Sequence, residues 1–139
     1  MLTSADLVYL DSSALVKLAV REAESAALVS YLGDRPARVS CALAQVEVVR
    51  AIRWQGSSAV TAARAVLADL SLIRLDDDVL NAAAEIDPPE LRTLDAIHLA
   101  AARTLGRRLA AVVTYDQRMA RAARGLGLTV VAPGTIPNS

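Results

Sequence analysis

The chain has 139 residues, 54% of them apolar, and a positive mean hydropathy, which together exclude a disordered protein and allow one well-packed domain. No apolar stretch approaches the roughly 18 residues of a membrane span. The first residues lack a basic leader and a small-residue cleavage site, so we expect no signal peptide. The single cysteine, Cys41, cannot form an internal disulfide. It fits a reducing, cytoplasmic location and is expected to be a small core residue.

The charges balance, with 15 basic and 15 acidic residues, and a neutral chain is not typical of a nucleic-acid binder. The balance changes if some acids are gathered in a metal site. Setting four aside leaves 11 acids against 15 basic residues elsewhere. All basic residues except Lys17 are arginines, whose planar guanidinium suits bidentate contact with phosphate.

Short apolar segments alternate with helix-like segments along the chain. Val- and Leu-rich runs predict buried strands, and helical periodicity that ends at Gly or Pro predicts helices. In chain order the predicted elements are a strand at 7–10, helices at 12–20 and 22–32, a strand at 37–40, helices at 42–55 and 58–70, a strand at 72–75, helices at 79–86 and 91–105, a strand at 110–114, a helix at 116–126 and a strand at 128–131.

This alternation requires crossover connections between the strands and therefore predicts an α/β fold with a parallel sheet. We expect about five strands, with helices on both faces of the sheet. No repeat or linker interrupts the pattern. The prediction is a single domain over residues 1–139, with a core at about 7–131 and a C-terminal tail at 132–139.

Two acidic residues directly follow or nearly follow predicted strands. Asp11 comes after LVYL, and Asp116 comes two residues after the strand that ends at Thr114. Each could be the N-cap of the next helix. Because the carboxyl ends of parallel strands meet at one edge of the sheet, where ligands gather, the two carboxylates could also share a site.

Two further acids lie inside predicted helices. Glu47 is the one acid of the apolar segment CALAQVEVVRAIRW, and a surface pair with Arg50 is the simplest alternative to a functional role. Asp95 lies in LRTLDAIHLAAA, where Asp is a poor helix former. A local pair with Arg92 is its alternative explanation, but a residue held against its propensity often marks a functional site.

If these four carboxylates converge, they cannot all ionise side by side without a cation. Oxygen ligands without a His/Cys cluster favour Mg²⁺ or Mn²⁺ over zinc. Such ions polarise phosphates and activate water, so the hypothesis is metal-assisted hydrolysis of phosphodiester bonds. The spacing along the chain does not by itself establish the convergence.

The segments YLDSSALVK, ALAQVEVVRAI, LRTLDAIHLAAA and VVTYDQRM, in this order, resemble PIN-domain ribonucleases, and in particular VapC-like toxins of bacterial type II toxin–antitoxin systems. The resemblance runs from about residue 7 to residue 131. It implies that an acidic quartet, Asp11, Glu47, Asp95 and Asp116, binds Mg²⁺ or Mn²⁺. It also implies an RNA substrate, a cognate antitoxin, and a homodimer that can assemble with the antitoxin.

The resemblance also implies supporting roles for Ser12 and Thr114, small hydroxyl residues beside the first and last acids. His98, three residues after Asp95, is interpreted as support or packing, with direct catalysis as the weaker alternative, because activated water makes a histidine base dispensable. Arg118 and Arg121 follow Asp116 and are candidates for RNA contact, or else belong to an ordinary solvated helix face.

Other functions fit the chain less well. A receiver-like signalling domain needs a Lys late in the chain, and a nucleotide-binding loop needs a glycine-rich first turn; neither is present. The remaining alternative is a PIN-like module that binds RNA or protein without cutting. With three Tyr, one Trp and no Phe, base stacking has few candidates, so RNA recognition is expected to use backbone and shape.

Overall fold

The computed structural model describes residues 5–136. The first residues and the end of the tail lie outside this range, and so does the segment on which the prediction of no signal peptide rests. None of the helices between these limits is long and apolar enough to cross a membrane. The elements are β1 (Leu7–Leu10), α1 (Ser12–Ala19), α2 (Ser25–Leu32), β2 (Arg38–Cys41), α3 (Ala44–Ile52), α4 (Ser57–Ala68), β3 (Ser71–Ile73), α5 (Asp77–Ala84), α6 (Thr93–Arg103), β4 (Leu109–Val113), α7 (Gln117–Gly125) and β5 (Val130–Val131).

The five strands form one parallel sheet in the order β3-β2-β1-β4-β5, which confirms the predicted fold class. From β1 the chain builds outward through β2 and β3, and then crosses to the other side of β1 to add β4 and β5. The order therefore reverses between β1 and β4. In open parallel sheets the crevice at the carboxyl ends of such a pair of strands is the usual ligand site.

The core lies on both faces of the sheet, as the continuous apolar strands predicted. Along β1, Val8 and Leu10 point into a cluster with helices α1 to α4, and Tyr9 points into a second cluster with helices α5 to α7. All three side chains are fully buried. Cys41 is also fully buried in the second cluster, which confirms its prediction as a core residue.

Differences from the predicted boundaries occur at element ends. α2 begins at Ser25 instead of residue 22. The Ser25 hydroxyl accepts from the Glu22 amide at 2.9 Å and donates to the Lys17 carbonyl at 2.7 Å, and these hydrogen bonds hold the preceding residues in a separate turn. α6 begins at Thr93, since Arg92 is extended, with φ −60° and ψ 145°. The outermost strands β3 and β5 are shorter than predicted; each pairs with a neighbour on one side.

We predict that truncation in the core on α6 costs far more stability than the same truncation near its exposed end. Leu99 is fully buried, whereas Leu94 on the same helix is 46% exposed. Leu99→Ala should lower the free energy of unfolding by about 2–5 kcal/mol, because it removes buried methyl groups and leaves a cavity. Leu94→Ala is the matched control and should cost well under half as much in urea unfolding. Equal losses would contradict this packing.

Candidate functional site

Asp11 follows β1 and lies almost fully buried, with 4% of its surface exposed. Its Oδ1 accepts from the Ala14 amide at 3.0 Å and from Ser13 Oγ at 2.6 Å, so the residue caps α1 as expected. Its Oδ2 accepts from Thr114 Oγ1, at the end of β4, at 2.6 Å. Burial raises the pKa of Asp11, and the hydroxyl donors oppose that rise by stabilising the carboxylate.

Two hydroxyl groups connect the ends of β1 and β4. Thr114 donates to Asp11 and accepts from the Asp116 amide at 3.1 Å. Ser13 donates to Asp11 and accepts from the Tyr115 amide at 2.9 Å. Thr114 was a candidate from the sequence, whereas Ser13 was missed. The signal for Ser13 was the pair of serines that directly follows Asp11.

Glu47, on α3, extends toward α1 and α6. Its Oε1 accepts from Ser12 Oγ at 2.5 Å and lies 2.6 Å from His98 Nε2. Within the described chain, these contacts take the place of the surface pair with Arg50. Partial burial disfavours ionisation of Glu47, but the hydrogen bonds from His98 and Ser12 outweigh it and hold its pKa below the usual value.

His98 is 2% exposed and joins Glu47 to the core. Its Nδ1 lies 2.8 Å from Tyr9 Oη and 3.7 Å from Cys41 Sγ. Burial lowers the pKa of His98, but the contacts with Cys41 and Glu47 exceed that effect and raise it to about 10. An imidazolium that donates to Glu47 fits a supporting role, since both ring nitrogens already have partners.

Asp95 and Asp116 are bridged by one arginine. Arg92 Nε donates to Asp95 Oδ2 at 3.0 Å, and Arg92 Nη2 donates to Asp116 Oδ2 at 2.7 Å. The local pair considered as an alternative for Asp95 is therefore present, and it extends to a second acid. Asp116 also caps α7 as expected, because its Oδ1 accepts from the amides of Arg118 and Met119 at 2.9 and 3.0 Å.

The structure thus brings all four predicted acids into one connected region at the switch point of the sheet. Glu47 and Asp95 line a single small cavity together with Arg92. The four carboxylates supply the oxygen donors that Mg²⁺ and Mn²⁺ prefer, so the donor chemistry fits such an ion. As the side chains stand, however, no group of three or more His, Cys, Asp or Glu residues between 5 and 136 is arranged to hold a metal ion.

A cleft of about 610 Å³ opens beside these acids, between the segment before α6 and the exposed side of α7. Arg92 and Asp95 belong to both the cleft and the acidic region. The lining also includes two further arginines, three apolar residues and two acids: Arg118, Arg121, Leu91, Ala122, Leu126, Asp87 and Glu90. Both arginine candidates from the sequence thus line one cleft together with Asp95, one of the four predicted acids.

Comparison with known proteins identifies the family of the chain. The PIN domain family model matches residues 8–125. Ribonuclease VapC46 of Mycobacterium tuberculosis is 57% identical over 126 residues, covering 91% of this chain and 97% of that protein. Ribonuclease VapC35 of the same species is 46% identical over 132 residues, covering 92% and 98%.

A solved structure shares the fold. The crystal structure of Mycobacterium tuberculosis VapC20, described as a sarcin-ricin loop cleaving toxin, matches with a TM-score of 0.73 and 18% identity, covering 91% of this chain and 99% of that one. Identity at this level shows the fold alone. With a family match across most of its length and ribonuclease relatives that align nearly end to end, the chain belongs to the PIN domain family.

Proposed function

We propose that the protein is an endoribonuclease, the toxin of a type II toxin–antitoxin pair, which hydrolyses RNA phosphodiester bonds with Mg²⁺ or Mn²⁺. The observation that carries this proposal is the connected region of four carboxylates at the switch point of the sheet. Its support is the 57% identity to a ribonuclease VapC over 91% of the chain. The presence of all four carboxylates favours this function over the alternative, a PIN-like module that binds RNA or protein without cutting.

In this proposal Asp11, Glu47, Asp95 and Asp116 would hold the ion. A divalent cation, when bound, neutralises charge on the scissile phosphate and makes water a better nucleophile at neutral pH. The remaining residues prepare the ligands. His98 keeps Glu47 ionised and fixes its orientation, and the hydroxyls of Ser12 and Thr114 orient Glu47 and Asp11.

The cleft beside the acids is the proposed path of the RNA. Arg118 and Arg121 present guanidinium groups along it, and such groups match phosphate oxygens. Its apolar floor, formed by Leu91, Ala122 and Leu126, can contact one face of a base without selecting its identity. Recognition would therefore depend on backbone and shape, as the shortage of aromatic residues predicted.

The proposal includes two protein partners, a cognate antitoxin and a second copy of the chain. It places the protein and both partners in the cytoplasm. Large apolar side chains are exposed at α3 and the turn after it, where Val46 is 57% and Trp54 is 79% exposed. Contiguous exposed apolar surface marks sites that another protein covers, so we propose this side of the molecule for the contact with a partner.

The first test is metal-dependent cleavage. Wild-type protein freed of any antitoxin should cut a mixed RNA pool when Mg²⁺ or Mn²⁺ is added, and EDTA should stop the reaction, because the carboxylates need a cation to engage a phosphate. Gel analysis of the fragments provides the measurement. Binding of the same RNA without any cleavage would favour the non-cutting module.

The second prediction concerns the acids. Asp11→Asn and Asp95→Asn should each reduce cleavage by roughly 100-fold or more, since even the loss of an indirect metal partner costs about 10–100-fold. Growth inhibition on expression should disappear with the activity, while circular dichroism should report an intact fold. Asp69→Asn, at the exposed end of α4, is the control and should cleave normally. Full activity in either site variant would refute the assignment.

The third prediction separates the cleft from the rest of the helix surface. Arg118→Gln and Arg121→Gln should each weaken RNA binding for all sequences and reduce the slope of log affinity against log salt by about 0.7, as the loss of one phosphate contact on a single strand does. The measurement uses the inactive Asp11→Asn background at several salt concentrations.

Arg124→Gln is the matched control for the cleft variants. Arg124 is exposed on the same helix but is not part of the cleft lining. It should change affinity and salt slope much less than the two cleft variants. Equal effects at all three positions would mean that α7 attracts RNA through its general charge and that the cleft is not the contact surface.

A further inference from the structure

Asp116 uses its two carboxylate oxygens for different partners. Oδ1 accepts from the amides of Arg118 and Met119 and is part of the cap of α7. Oδ2 accepts from Arg92 Nη2 at 2.7 Å. The oxygen of Asp116 that is not committed to its own helix is therefore held by a guanidinium. The same guanidinium contacts Asp95 Oδ2 through Nε.

We propose that Arg92 is an internal cation that competes with the divalent metal for Asp95 and Asp116. The inference depends on the proposed function, in which both carboxylates are metal ligands. A dication that used Asp116 Oδ2 would have to approach the atom that the guanidinium contacts, and the two positive groups repel at that separation. Metal binding and the Arg92 bridge are therefore alternatives at this site.

The position of Arg92 allows the exchange. Arg92 directly precedes α6 with an extended backbone, and its side chain is 59% exposed, so the side chain can move away while the helix stays intact. Arg92 also lines the cleft that contains Arg118 and Arg121. After release from the acids, its guanidinium would face the same cleft and add a third positive group near the proposed RNA path.

The bridge also explains how Asp95 and Asp116 remain close together without a metal. Two carboxylates that share a site repel unless a positive group lies between them. Contact with Asp95, and then with Asp116, raises the pKa of the Arg92 guanidinium, so the bridge stays charged. Removal of the guanidinium should therefore have two opposite effects: weaker folding of the metal-free protein and tighter binding of the metal.

The test is calorimetric titration of Mn²⁺ into metal-stripped protein, which needs no RNA cleavage. Arg92→Gln should bind Mn²⁺ at least about fivefold more tightly than wild type, the low end of typical coupling between two binding events. Without metal its Tm should be lower than that of wild type, and Mn²⁺ should raise the Tm by more. Arg118→Gln, which removes the same charge from the same cleft without touching the bridge, should change Mn²⁺ affinity little.

Several outcomes would overturn the inference. Unchanged Mn²⁺ affinity in Arg92→Gln excludes competition, and weaker affinity means that Arg92 instead organises the ligands. If Arg92→Gln does not fold, Arg92→Lys serves in its place. A lysine keeps a positive charge that can still compete but lacks the planar fork that spans both carboxylates, so we expect a smaller gain in Mn²⁺ affinity than a neutral residue would give; weaker affinity in the lysine variant excludes competition.

A separate control distinguishes this inference from the function on which it rests. Asp116→Asn in the wild-type background should weaken Mn²⁺ binding. If it does not, the ligand assignment itself fails. If Asp116→Asn weakens binding and Arg92→Gln leaves it unchanged, the ligand assignment holds and only the competition by Arg92 is refuted.

Discussion

Repulsion between carboxylates is the constraint on which this edge of the molecule depends. Two like unit charges about 4 Å apart repel by about 4 kcal/mol at an effective dielectric constant of about 20, a large part of the roughly 5–15 kcal/mol that stabilises a domain. The protein compensates each acid differently. Asp11 has neutral hydroxyl and amide donors, Glu47 has the imidazolium of His98 and a hydroxyl, and Asp95 and Asp116 share a guanidinium.

The sheet explains why the acids lie in one region of the molecule. Parallel strands end at a common edge, and the reversal between β1 and β4 leaves a crevice there because the connections leave in opposite directions. Asp11 and Asp116 lie at this crevice because each is the N-cap of the helix that follows its strand. Each position therefore stabilises a helix and also contributes a carboxylate to the site. α3 and α6 approach from opposite faces of the sheet, and Glu47 and His98 make the contact between them above its edge.

Much of this could be predicted from local sequence. Continuous apolar runs identified strands buried on both faces, and acids directly after them identified the caps. Asp95 violated helix propensity and proved to lie in the acidic region. The contacts across the site could not be predicted in this way. The Glu47–His98 pair spans 51 residues and the Arg92–Asp116 pair spans 24, so both depend on how α3, α6 and α7 pack. The competing local explanation for Asp95, a pair with Arg92, was correct but incomplete.

The hydroxyl of Thr114 has a consequence for the protonation state of its neighbour. Hydrogen bonds here run in one direction, from the Asp116 amide to the Thr114 oxygen and from the Thr114 proton to Asp11 Oδ2. The Thr114 hydroxyl therefore stabilises the ionised form of Asp11 and opposes the rise in its pKa that burial causes. One threonine thus both connects the ends of two strands and stabilises a buried carboxylate.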